Sequence, residues 1–420
     1  MTASNTINVR RPTDPSALSM ALLVAVPGLF YLMSMMLRNS MAVVEVELER
    51  AFALSATEAG MLAAALFVAF AIAQIPLGIA MDRVGPLRVL GFSILMLVGG
   101  ALAFAAAEGF AALLGARIAI GIGAAPIYVA IMGLISARVS ADRFSTYSGV
   151  ESGIGRLGFL VAAAPFAWLV AAVGWRTGYG LSALLTVSLG VAMLISLRHA
   201  AWTPGEATNS WQAMRTGVRR VARAPGVAGL VAFQIGMTGA SVVLFAGWGA
   251  SWLRSVYAFT GVEAAQFLTL AACAFAAGSL AWGAAPRLAI SAVTLSLVGG
   301  LVLAGLLALP AAGLLGRPWL PMWLILFGLV SAGYPLAVAQ MREWVPKELL
   351  VRGITLLSFS AIGGAGVLLA ASGALIDVFA DAPGEHPPES FNAMFALLAG
   401  VNLVTTLSYG IATRRRSVTR

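Results

Sequence analysis

Met61-Leu-Ala-Ala-Ala-Leu-Phe-Val-Ala-Phe-Ala-Ile-Ala-Gln-Ile-Pro-Leu-Gly-Ile-Ala80 runs straight into Met81-Asp82-Arg83-Val-Gly85-Pro-Leu-Arg88. The first part is a run of twenty largely apolar residues, and a helix needs ~20 of them to cross a bilayer. Leu90 to Ala107 is a second such run, so the charged stretch between them reads as a turn joining two spans. The rest of the chain follows suit. Of its 420 residues 60% are hydrophobic and only 10% charged, and the mean hydropathy is +0.92. A soluble domain carries roughly 25% charged residues, so this one could not cover a water-facing surface. Lipid exposure demands helices or closed barrels. A barrel would alternate apolar and polar residues in short segments, whereas these runs are continuous. The 46 glycines suit a bundle whose helices approach closely.

The predicted spans fall at roughly 17–42, 57–81, 88–107, 110–137, 144–171, 177–197, 227–254, 262–284, 288–310, 318–341, 353–377 and 390–412. An even count puts both termini on one side, and Lys and Arg excess marks the cytoplasmic side. Nineteen of the 26 basic residues share the side of the termini; the other seven are Arg38, Arg50, Arg117, Arg156, Arg176, Arg254 and Arg317. The opposite loops are acidic, with Glu45, Glu47, Glu49 and Glu58 after the first span and Asp381, Glu385 and Glu389 before the last. Both termini are therefore expected in the cytoplasm of a bacterium, with the spans in its inner membrane. The +9 net charge reflects this bias and calls for no nucleic-acid partner. The N-terminus is polar and arginine-bearing for about sixteen residues, and the first apolar run is long enough to remain as a span, so no cleavable signal is expected.

The longest loop on that side, Arg198 to about Pro225, divides the chain into residues 1–197, a linker 198–226 and residues 227–420. Within the linker Trp211, Met214, Val218 and Val221 have helical apolar spacing with arginines between them, which predicts an amphipathic helix at the membrane surface. The single cysteine, Cys273, excludes an internal disulfide. The two histidines, His199 and His386, fall in predicted loops. No zinc-type cluster and no cofactor motif occurs, and no nucleophile–base pair, metal set or phosphate loop supports an enzyme.

The loop Gly78-Ile-Ala-Met-Asp82-Arg83-Val-Gly85-Pro-Leu-Arg88 resembles the corresponding loop of major facilitator transporters. Gly78, Asp82, Arg83 and Gly85 match; Leu87 stands where a basic residue is usual, with Arg88 one position later. Leu114-Gly-Ala-Arg117-Ile-Ala-Ile-Gly121-Ile-Gly123 is similar to the fourth-span motif of the same superfamily, and Gly174-Trp175-Arg176 matches a tripeptide between its fifth and sixth spans. The resemblance implies an all-α membrane protein of twelve helices in two pseudo-symmetric six-helix bundles, working as a monomer. It implies alternating access around a central site, with Gly78, Asp82, Arg83, Gly85 and Arg88 gating and Arg117 coupling or packing. Proton-driven drug antiporters carry a Gly-Pro pair in the fifth span. Here Gly149-Val-Glu151-Ser-Gly153-Ile-Gly155-Arg156-Leu-Gly158 has the glycines, but its proline comes late, at Pro165.

Ionisable groups at membrane depth usually face the bundle interior and serve function. Arg156 lies about twelve residues into the fifth span, ~18 Å at 1.5 Å per residue. It shares a face with Gly149, Ser152 and Gly153. Two readings stay open: an anchor for a carboxylate or phosphate, which a guanidinium grips bidentately, or an ion pair with another helix. Arg38 is read near the outer end of the first span, on one face with Tyr31 and Ser34. Organic-anion members of the superfamily resemble this tyrosine–arginine pattern; the alternative is an arginine snorkelling to the interface. Glu151 is the one carboxylate placed well inside a span. It is the candidate proton carrier, or else a permanent partner for an arginine such as Arg117. Gln234, Thr238 and Ser241 form a polar stripe in the seventh span, continued by Trp248, while Tyr334, Thr355 and Ser358 are further cavity candidates.

Met33, Met35, Met36, Met41 and Met237 raise Cu(I) transport, but their spacing is not a repeated one-face pattern and methionine commonly fills helix packing. The leading expectation is proton-linked transport of a small organic anion. Arg156 with Arg38 and Tyr31 would attract it, and Gln234, Trp248 and Tyr334 would shape the site from the other half. The alternatives are a proton-driven exporter of drugs or siderophore-like compounds, a copper importer, or a membrane sensor without transport.

Overall fold

The computed structural model describes residues 17–136, 141–198, 211–284, 290–346, 349–382 and 386–418. Among them there is no strand. The helices are α1 Ala17–Asn39, α2 Met41–Phe52, α3 Ala56–Val84, α4 Pro86–Ala105, α5 Phe110–Ala124, α6 Ile127–Ser136, α7 Ala141–Ala162 and α8 Ala164–Leu197. After the linker come α9 Trp211–Ala222, α10 Val227–Val243, α11 Gly249–Tyr257, α12 Gly261–Ala284, α13 Ala292–Ala311, α14 Leu320–Ser331, α15 Tyr334–Trp344, α16 Leu350–Asp377 and α17 Pro388–Val418. Ten stretches are long and apolar enough to cross a membrane, and the bent pair α1–α2 makes an eleventh. Within α8, Gly174 adopts φ +79°. This reversal assigns residues 164–173 to the fifth span with α7 and residues 175–197 to the sixth, so the count reaches twelve.

Helix starts follow local chemistry. Ser55 and Glu58 form a reciprocal cap on α3, with Glu58 N donating to Ser55 Oγ at 3.2 Å and Ser55 N to Glu58 Oε2 at 3.0 Å; this is the capping box. Between α3 and α4 the chain turns at Gly85, φ +87° and ψ 152°, a region that only glycine enters freely. Pro86 then opens α4, where its missing N–H is no loss. Gly85→Ala should therefore destabilise the protein by about 1–3 kcal/mol, which thermal unfolding in detergent would read as a lowered Tm.

Spans one, four, seven and ten each break near their middle. The first bends by 40° at Ser40 between α1 and α2. The fourth breaks ahead of Ile127, where Pro126 removes a donor. The seventh passes through a π-helical turn, Leu244–Trp248, with Gly247 out of helical geometry. The tenth breaks at Ala332–Gly333, ahead of Pro335. The fifth also steps, at Ala163 before Pro165. Broken helices at every third span are the mark of repeated three-helix units, and such breaks line transporter binding sites. Burial agrees. Two thirds of the apolar window is buried in spans four and seven, against one third in spans six, nine, eleven and twelve. The latter present side chains such as Leu184 and Val404, each 62% exposed, as a lipid-facing rim.

The helix predicted in the linker is present as α9, with Val221 buried and Arg215, Arg219 and Arg220 exposed. It lies against α16, Gly217 meeting the Arg352 side chain. The side chains of Trp211 and Met214, and His199 itself, lie outside the described residues.

Candidate functional site

The first span differs from its sequence reading. It does not end near residue 42: the helix resumes after the bend and runs to Phe52, carrying Glu45, Glu47 and Glu49 on α2 rather than in a loop. Acidic side chains had hidden this continuation. Arg38 is therefore fourteen residues short of the span's end, and Phe70 is fourteen residues past the start of α3. The two share a depth of ~21 Å at 1.5 Å per residue. The Arg38 guanidinium lies over the Phe70 ring at 4.2 Å and 5.8 Å from that of Phe67. It is buried, its Nη1 reaches only the thioether of Met35 at 3.5 Å, and its Nε has no hydrogen-bond partner. Among the described residues no carboxylate pairs with it.

Three tyrosines converge from the broken spans. Tyr31 of α1 lies flat against α7, where only a glycine, Gly155, leaves room for its ring. Its ring centroid is 5.4 Å from that of Tyr128, which sits just past the break before α6. Tyr334 opens α15 at the tenth-span break; its hydroxyl bonds Ser358 of α16 and interacts with Tyr128 across the centre. Ser358 also accepts from Gln74 Nε2 of α3 at 3.4 Å. Gln234 donates to Thr238 at 2.9 Å, while its buried Oε1 has no partner among the described residues. Tyr31, Tyr128, Tyr334, Ser358 and Gln74 thus bring phenols, a hydroxyl and an amide together from both halves of the chain.

Glu151 is fully buried, and neither carboxylate oxygen has a hydrogen-bond partner among the described residues. Its Oε2 stands 3.0 Å from where a Cβ on Gly28 would lie, so it faces α1. The side chains of Arg156, Asp82 and Tyr147 lie outside the described residues. Arg117 is buried and holds helix carbonyls: Nε donates to Leu62 O at 3.1 Å and Nη1 to Leu37 O at 3.3 Å. In the loop motif Gly78 has open space around it, Arg83 is exposed, and Arg88 Nη1 donates to Val84 O at 3.4 Å.

Trp248 does not join the tyrosines. It is fully buried, packed against Gly373 and 5.5 Å from the His386 ring. This is a seam on the face opposite the chain ends, hereafter the distal face. There Ser251 of α11 donates to Glu45 Oε2 at 2.6 Å. Asp377 of α16 caps α3, accepting from Thr57 Oγ1 at 2.7 Å and Ala56 N at 3.2 Å. A void of about 30 Å³ below it, bordered by Asn39, Arg254, Phe159 and Phe245, is of a size for one water. The distal route is shut.

Tyr128, Gln74 and the clasp residue Asp377 were missed in the sequence. For Tyr128 the neighbouring Pro126, which breaks its helix, was the available signal.

The fold has clear relatives among solved structures. A bacterial homologue of the human lysosomal transporter Spinster, inward-facing and unoccupied, aligns over 95% of this chain and 98% of its own at TM-score 0.79 and 16% identity. The nucleoside transporter NupG aligns over 93% and 99% at 0.74 and 13%. The peptide transporter POT in complex with sulfate aligns over 94% of both chains at 0.74 and 14%. Among curated proteins no sequence matches. Residues 28–333 match the sequence profile of the Major Facilitator Superfamily, and the chain, with its twelve spans and central breaks, belongs to that superfamily.

Proposed function

We propose that this chain is a secondary active transporter that carries a small organic anion of carboxylate type across the bacterial inner membrane by alternating access, coupled to protons. Residues 1–197 and 227–420 are the two rocking halves, joined by the 198–226 linker. The chain ends lie on the cytoplasmic face, and the unit is a monomer. The observation that carries the reading is Arg38. A buried guanidinium with no carboxylate opposite it among the described residues is costly, and an anionic substrate supplies the missing charge. Arg156 of the fifth span acts with it. Tyr31, Tyr128, Tyr334, Ser358 and Gln234 orient the substrate through hydrogen bonds, and Glu151 carries the proton. Asp82, Arg83 and Arg88 latch the cytoplasmic side around the Gly85 turn, and Arg117 braces the first bend.

Glu151 favours a second reading. A buried carboxylate without a partner among the described residues would also receive a cation, as in a proton-driven drug exporter. A thermal-shift screen separates the two, because a ligand stabilises the native state by an amount growing with the logarithm of its concentration over Kd. Purified protein is titrated with carboxylates, phosphates, lipophilic cations and Cu(I), and again as Arg156→Ala. Stabilisation by carboxylates that Arg156→Ala removes supports the anion carrier. Stabilisation by lipophilic cations, or a shift that survives Arg156→Ala, moves the assignment to the exporter.

A further inference from the structure

The distal seam holds more buried polar atoms than its bonds employ. Both oxygens of Glu49, Nε2 of His386 and Nε1 of Trp248 lack hydrogen-bond partners among the described residues. Yet Glu49 Oε1 and His386 Nε2 are 3.2 Å apart, with side chains only 1% and 4% exposed. They are in ion-pair contact but out of hydrogen-bond alignment. Glu45 lies one turn earlier on α2, 2% exposed. Glu45 and Glu49 come from one half of the chain; Ser251, Trp248 and His386 come from the other. The surrounding groups complete the balance. Glu47 on α2 and Arg254 on α11 act on Glu45, the rings of Trp248 and Phe391 flank His386, and Asp377 is engaged by α3. Arg50, Asp381 and Glu389 are exposed.

Two carboxylates a turn apart and one imidazole are closed off from water between the halves. An uncompensated buried charge costs several kcal/mol. Opening the seam would hydrate all three groups. We propose that Glu49 and His386, with Glu45, form a proton-binding site that fills when the distal gate closes. The imidazolium then pairs with Glu49 across the seam, and Glu45 keeps its bond to Ser251. Protons are taken from the distal compartment at the gate itself, apart from the central tyrosines. This rests on the alternating-access part of the proposed function and not on the identity of the substrate.

The state that binds more protons gains on the other as pH falls, up to tenfold per pH unit for each proton. The test follows the gate directly, without substrate. Nitroxide labels go on the full chain in lipid nanodiscs at Ala111 and Leu314, both exposed on the distal side, in a Cys273→Ser background. Their distance distribution is recorded from pH 5 to pH 8. The closed-to-open ratio should rise as pH falls, by about tenfold per unit where one proton is linked. Glu49→Gln and His386→Gln should each flatten that slope. A ratio that does not change with pH in the parent chain overturns the proposal. So does a slope that persists in both Glu49→Gln and His386→Gln, even if both lower the Tm, because the pair would then be structural packing.

Discussion

Arg38→Gln should weaken carboxylate binding by at least roughly 30-fold, because truncating one partner of a buried charge pair costs about 2–5 kcal/mol. The same substitution should leave the ligand-free protein at least as stable as the parent. Arg38 is held only by the Met35 sulfur and the Phe70 ring. Its desolvation has no carboxylate to offset it among the described residues, so a neutral side chain relieves more than it removes. A cation–π contact returns only about 0.5–2 kcal/mol. Loss of ligand response without loss of Tm is the signature of a binding arginine. Isothermal titration and thermal unfolding on the same preparation read both. A fall in Tm with affinity unchanged would make Arg38 a packing residue.

Arg117→Ala should behave in the opposite way and cost about 3–5 kcal/mol of stability. Arg117 is wholly buried and donates to two carbonyls on two helices, Leu37 O at the first-span bend and Leu62 O on α3. Ser40 reinforces the same point, donating to Leu37 O at 2.9 Å and sharing a 2.6 Å hydrogen bond with Tyr179. Each charge-assisted bond contributes about 1.5–3 kcal/mol, and alanine also leaves a cavity between α1, α3 and α5. Thermal unfolding should show a large drop, and Arg117→Lys should recover little of it, since an ammonium lacks the fork that reaches two carbonyls. A Tm within a degree of the parent would mean that the bend holds without its brace.

Much of this architecture was legible in the chain. Long apolar runs and few charges leave only membrane helices, and the Asp82–Gly85 turn and the Gly174 reversal fall where their glycines predict. Tyr31 and Tyr334, both candidates in the sequence, each lie against Tyr128. Other parts were hidden for physical reasons. Hydropathy ended the first span too early because Glu45 and Glu49 look like loop residues until another half is there to bury them; Arg38 was consequently placed near the outer end of the span, with an interfacial role left open beside substrate binding. Trp248 follows Gln234 on a helical face, but the π-turn at Leu244–Trp248 redirects it into the distal seam. Tyr128 carries no charge and sits in an apolar run, so only the break at Pro126 marked it. Contacts such as Asp377 to Thr57 join residues 320 positions apart, and no local pattern announces them.

The measurement that bears most directly on the account is flux of radiolabelled carboxylates into proteoliposomes under an imposed pH gradient, with Arg38→Gln as control. Proton-driven accumulation that a protonophore collapses and Arg38→Gln abolishes is the predicted result. Gradient-driven movement of lipophilic cations with carboxylates left behind would contradict it.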